Sequence, residues 1–202
     1  MPGGAPARAP GVFLYDARSG AGPAPGKRAA ARGGIKVAKI PHVVNVADLK
    51  WSGFSKGKRF GWRGVQLGAA AGGRQIGCSL YELPPGKQSY PYHYHCANEE
   101  AIYVLEGEGT MRLAGRRVPI RRGDYVALVV GEDGAHQVIN TSKRPLRYLC
   151  LSTMSEPDVA VYPDSGKVGI FAGAAPGGPP EKRTLFTFLR TRPKAGYWDG
   201  EA

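Results

Sequence analysis

Four histidines occur in the chain, and three of them fall in two short segments. His93 and His95 lie in the run 86–100, and His136 in the run 123–140. Histidines one residue apart on an extended strand project to the same face, so His93 and His95 present two imidazoles together. Glu99 and Glu100 follow a turn at Ala97 and Asn98, and either can add an anionic oxygen. With His136 arriving from another hairpin, three imidazoles and a carboxylate make a plausible site for one divalent ion such as iron, manganese, nickel, copper or zinc. An ion held this way keeps coordination positions for water or substrate, where it can polarise an oxygen or activate dioxygen.

These side chains need a frame of short strands to bring them together. Residues 76–83 alternate as a strand should. Downstream, residues 101–105, 110–113, 117–120, 125–130, 136–140 and 146–152 are each strand-length, with Gly107, Gly109, Gly115, Gly123, Gly131 and Gly134 between them. Connections this tight cannot hold crossover helices, so neighbours pair mainly antiparallel and close into a barrel or two-sheet jelly roll. Thirty glycines and seventeen prolines also interrupt any long helical pattern. Order is expected to begin near residues 42–46, pass through a Gly- and Lys-rich loop at 51–62, and become irregular after Ser152 through Pro157, Pro163 and Gly166. A last strand over 184–189 precedes an aromatic end, Tyr197 and Trp198, which would pack over the barrel or anchor a partner subunit.

The two histidine segments resemble the two motifs of the cupin superfamily. The first has a glycine, H-x-H, a glutamate and a later glycine; the second has Gly123-Asp124, a turn, His136 and Asn140. The resemblance implies an all-β, antiparallel cupin-type barrel (double-stranded β-helix, or jelly roll) with His93, His95, Glu100 and His136 as metal ligands. Glu100 is preferred to Glu99 because Glu100, Tyr103, Val104, Leu105 and Gly107 stand as in the family's Glu-x-x-Tyr-Val-Leu-x-Gly run. The second motif departs from the pattern, since its turn lacks the usual proline. The resemblance is strongest over 76–152 and extends to the ending at 197–201, in the manner of a bacterial group of small cupins without a settled function.

Other chemistry-bearing residues are read more plainly. Alternation aims Cys96 away from both imidazoles, leaving an inert thiol, and sends Tyr92 and Tyr94 to the barrel's other side or to solvent. His42 lies outside both motifs. Arg112, Arg116, Arg117, Arg121 and Arg122 are expected on a solvated outer face.

A chain of 202 residues with 42% hydrophobic content suits one domain, read as residues 41–202 behind a disordered basic Ala/Gly/Pro-rich extension over 1–40. Three cysteines without C-x-x-C spacing suggest neither a disulfide framework nor a zinc ribbon. No stretch approaches the ~20 apolar residues of a membrane span, and a cytoplasmic protein is expected. The net charge of +12 comes partly from the extension, and no helix-turn-helix or aromatic RNA-binding signature accompanies it, so nucleic acid is not the expected partner. The expected partners are a small-molecule ligand or substrate and a second copy in a homodimer. Two functions fit: a metal-dependent enzyme on a small polar molecule, as a sugar or sugar phosphate isomerase or a dioxygenase, or a non-catalytic binding or sensing module.

Overall fold

The computed structural model describes residues 42–201, and the extension expected over 1–40 lies outside them. Antiparallel strands dominate. In chain order they are β1 (Ser52–Lys56), β2 (Phe60–Gln66), β3 (Gly77–Leu83), β4 (Tyr94–His95), β5 (Glu100–Glu106), β6 (Glu108–Leu113) and β7 (Arg116–Arg121). There follow β8 (Tyr125–Leu128), β9 (His136–Ile139), β10 (Leu146–Ser152), β11 (Asp158–Tyr162), β12 (Lys167–Ala172) and β13 (Leu185–Arg190). Among the described residues no helix is long and apolar enough to cross a membrane.

The strands order as β1-β2-β3-β10-β5-β8, β13-β12-β11-β4 and β7-β6-β9, with every ladder antiparallel. An isolated bridge between His93 and His136 joins the approach to β4 with β9. The His93 amide donates to the His136 carbonyl at 3.1 Å, and the His136 amide returns the bond at 2.8 Å. Two candidate ligand positions from distant parts of the chain are thereby fixed by main-chain bonds before their side chains are considered.

The core gathers Leu83, Ile102, Val104, Met111, Ile120, Leu128, Val138, Leu146 and Tyr148. Alternation in β10 sends Leu146 and Tyr148 inward, and Cys150 packs against the same cluster. Burying side chains of this kind stabilises the fold by roughly 1.5–3 kcal/mol each. Asn140 is fully buried just beyond β9, where its Nδ2 donates to the Leu83 and Arg144 carbonyls, both at 2.8 Å. Its Oδ1 accepts from the Ser142 amide and hydroxyl.

The chain departs from its sequence reading at both ends of the barrel. The segment expected as a loop at 51–62 carries the β1–β2 hairpin, with Phe54 opposite Trp62. All five β1 residues are exposed, so this edge strand has no buried face to impose an alternating pattern. The region expected to be irregular after Ser152 contains β11 and β12, set between and after Pro157 and Pro163. The last strand is β13, paired to β12, while Tyr197 and Trp198 stay 86% and 77% exposed and do not cover the barrel.

Candidate metal centre

Each side chain of the cluster owes its place to a different strand or strand approach. His95 lies on β4, Glu100 opens β5, and His136 opens β9. His93 stands two residues before His95 and, as the alternation requires, on the same side: the two rings are 5.0 Å apart. The His93 and His136 rings are 4.5 Å apart. His93, Glu100 and His136 present donor atoms that all lie within 4.8 Å of one another. His95 stands just outside that group but reaches it through Glu100, whose Oε2 is 3.5 Å from His95 Nε2 and 3.3 Å from His136 Nε2. Glu99 is exposed and takes no part.

All three imidazoles have their Nδ1 engaged with an oxygen. His93 Nδ1 donates to the Pro91 carbonyl at 2.8 Å, His136 Nδ1 to the Gly134 carbonyl at 2.9 Å, and His95 Nδ1 to Asp158 Oδ2 at 2.6 Å. Carbonyl and carboxylate oxygens only accept, so Nδ1 carries the proton in each ring and Nε2 keeps its lone pair. This is the tautomer a metal ligand needs. The turn that supplies the Gly134 carbonyl depends on glycine, because a Cβ at 134 would stand 1.7 Å from the Val129 carbonyl oxygen.

Electrostatics agree with the geometry. Burial, reinforced by His136 and His95, pushes the His93 pKa down to about 3 and keeps the ring neutral. Burial opposes the charge on Glu100, yet His136 and His95 outweigh it and hold the carboxyl below its ordinary range. Burial likewise opposes the charge on Asp158, but His95 and Asn98 prevail and bring it down to about 2. For His95, burial acts against protonation, and Asp158 and Glu100 overcome it and raise the pKa. A neutral His93 and an ionised Glu100 are the forms that a divalent ion binds.

A cavity of about 350 Å³ reaches this cluster. Trp62, Tyr81, Tyr90, Tyr148, Tyr162 and Phe171 contribute its aromatic wall. Burial pushes the Tyr81 and Tyr162 phenols up to about 12.

Sequence reasoning brought forward His93, His95, Glu100 and His136, and the structure brings these four together. It did not find Asp158, which lies 63 positions beyond His95 and meets it only because β11 pairs with β4, Ala160 opposite His95. Cys96 is exposed, and Tyr94 is partly buried. Tyr92 is buried, accepts from the Gly115 amide at 2.8 Å, and lies under the Arg112 guanidinium. Arg116, Arg117, Arg121 and Arg122 are exposed as expected, whereas Arg112 is half-buried and paired with Asp164. His42 bonds the Ala71 carbonyl away from the cluster.

Residues 79–152 match the family model described as the Cupin domain. The fold is a cupin-type β-barrel. It is similar to a protein from Acidithiobacillus ferrooxidans whose name proposes a sugar phosphate isomerase, at 25% identity and a TM-score of 0.64 over 77% of this chain and 96% of that one. It is similar, again at 25% identity, to a protein from Silicibacter pomeroyi named a sugar phosphate isomerase from a cupin superfamily, with a TM-score of 0.63 over 77% of this chain and 97% of that one. An oxalate-binding protein of Thermotoga maritima is 37% identical over 70 residues, 35% of this chain and 55% of that protein. The chain spans about half the length of the curated relatives it matches.

Proposed function

We propose that this protein is a metal-dependent enzyme acting on a small molecule in the barrel cavity, with His93, His95, Glu100 and His136 holding one divalent ion. One observation carries the reading: three imidazoles engage Nδ1 with oxygen acceptors and leave Nε2 free beside the carboxylate of Glu100, where the cavity ends. A bound ion would supply Lewis-acid polarisation or, if redox-active, oxygen activation. The chain's own contribution is to fix the donors, keep His93 neutral and Glu100 ionised, and enclose the substrate among aromatic rings.

Sugar or sugar phosphate isomerisation is supported by the names of two structural relatives. It also needs a general base separate from the ligands. Outside the four ligands, the described lining residues include no carboxylate and no imidazole. The phenols and thiols there are raised by burial, which makes their ionised forms scarce. Dioxygenation makes no such demand on the wall and fits it better. A non-catalytic binding module is the second reading, favoured by the oxalate-binding relative. A homodimer is supported by Leu185, Phe186, Phe188 and Leu189 on β13, each about half exposed, and size-exclusion chromatography with light scattering tests it.

The primary test is elemental analysis of untagged protein beside a His93→Ala, His136→Ala double variant. Near-stoichiometric metal that disappears in the variant is the expected result. Equal and negligible metal in both, persisting after reconstitution, would remove the metal centre and leave a binding barrel.

A further inference from the structure

We infer that a second copy of this chain pairs with the free edge of β13, antiparallel and about a two-fold axis at Thr187, so that one sheet runs through both subunits. The inference rests on the homodimer reading and names the surface and the register that the dimer uses.

The edge itself is the first ground. β13 ends its sheet and, among the described residues, pairs with β12 alone. The Thr191 amide donates to the Gly166 carbonyl at 3.0 Å, one step past β13 in the same register. Antiparallel bonds fall on alternate residues, so Thr187 and Leu189 turn their amides and carbonyls towards β12, while Phe186 and Phe188 turn theirs away from it. Edges are ordinarily protected by charge, proline or shortness. β7, also an edge, carries Arg116, Arg117, Pro119 and Arg121, and the edge strand β4 has two residues. The run Leu185 to Leu189 has no such protection, and its Leu185, Phe186, Phe188 and Leu189 are each about half exposed.

The order of residues along the edge is the second ground. Residues 185–189 read Leu-Phe-Thr-Phe-Leu, the same in both directions about Thr187. A two-fold contact sets residue i against j and j against i. About an axis at Thr187, Leu185 meets the partner subunit's Leu189, and Phe186 meets the partner subunit's Phe188. The phenylalanines carry the free amides and carbonyls, so each Phe pair exchanges two hydrogen bonds. Rings then pair on one face and leucines on the other. Arg190 falls opposite the partner subunit's Thr184, and Arg183 opposite the partner subunit's Thr191, so like charges do not meet within 183–191. Registers centred on Phe186 or Phe188 keep the bonding phase but set Leu and Phe against threonine and arginine. Behind the edge, the Phe186 ring lies 5.2 Å from Phe171 and the Phe188 ring 6.0 Å from Tyr162, and both of those inner rings line the cavity. The partner strand therefore backs the wall of the candidate site.

The experiment uses the full-length protein carrying Cys96→Ser, because Cys96 is an exposed native thiol. Light scattering should give twice the chain mass. Thr187 meets its own copy in a non-hydrogen-bonded pair, where Cα atoms stand about 4.5 Å apart, within the roughly 4.4–6.8 Å that a disulfide spans. Under mild oxidation Thr187→Cys should therefore form a disulfide-linked dimer about tenfold or more faster than Leu185→Cys, whose side chain faces the partner subunit's Leu189. Thr187→Asp sets two carboxylates opposite each other on the axis and should leave a folded monomer. A monomer at every concentration measured overturns the pairing and the homodimer reading together. A dimer that survives Thr187→Asp, or that cross-links as fast through Leu185→Cys as through Thr187→Cys, overturns the pairing and leaves the homodimer standing. If Thr187→Asp does not fold, the two cross-linking rates decide.

Discussion

Asp158 Oδ2 accepts from His95 Nδ1 at 2.6 Å while its Oδ1 accepts from the Ala97 amide at 2.9 Å, so one carboxylate fixes both the ring and the turn behind it. Partners of this kind set the tautomer of a ligating imidazole and raise its basicity. Asp158→Asn should therefore weaken metal binding by about 10–100-fold while the protein stays folded. Competition with a chromophoric chelator measures it. An unchanged affinity would mean that His95 is held by other forces or does not ligate.

That pair also marks the limit of what could be read in advance. H-x-H spacing needs only local strand geometry, so His93 and His95 were legible from the period of two. Glu100 followed from family resemblance, since alternation alone allowed either glutamate. Asp158 had no local signal: its place depends on the β11–β4 pairing, and β11 lies where Pro157 and Pro163 suggested irregular chain. The β1–β2 hairpin was hidden for another reason, because an edge strand exposed along its whole length carries no hydrophobic alternation.

Asn140 stood in the second motif beside His136, yet its contacts are structural. Its amide ties the end of β3 to the turn before β10 through four hydrogen bonds. Asn140→Ala leaves buried carbonyls without donors, at about 1–3 kcal/mol for each orphaned group. The urea midpoint should fall markedly while the folded fraction still binds metal with wild-type stoichiometry. Loss of metal at full stability would assign Asn140 to the site instead.

Acid should destabilise the metal-free protein, and the sign follows from three groups. His93 is lowered to about 3, Glu100 is lowered, and Asp158 is lowered to about 2. In each case the unfolded chain binds the proton first, so stability is lost as pH falls. For His93 the window runs from its ordinary value near 6.5 down to about 3; for the carboxylates it starts near 4. His95, raised, acts oppositely and gives up its contribution as pH rises past its folded value. Thermal melts of chelator-treated protein should fall steadily from pH 6 to pH 4, and His93→Gln should flatten the upper part of that slope. Parallel profiles for the two proteins would refute the neutral state of His93.

The adjacent glutamates give the sharpest comparison, because they differ by one position and by which face of the chain they occupy. Glu100 Oε2 lies 3.3 Å from His136 Nε2 and 3.5 Å from His95 Nε2, while Glu99 is exposed. Glu100→Gln keeps the size of the side chain and removes its charge, so the site loses its one anionic donor. Metal affinity should fall by at least the factor of about 10–100 seen for partners behind the ligands. Glu99→Gln changes only solvated charge and should leave metal content and affinity as they were. Binding isotherms for the two variants, measured side by side with the same ion, decide the matter: equal losses, or a larger loss at Glu99, would place the anionic ligand on the wrong residue.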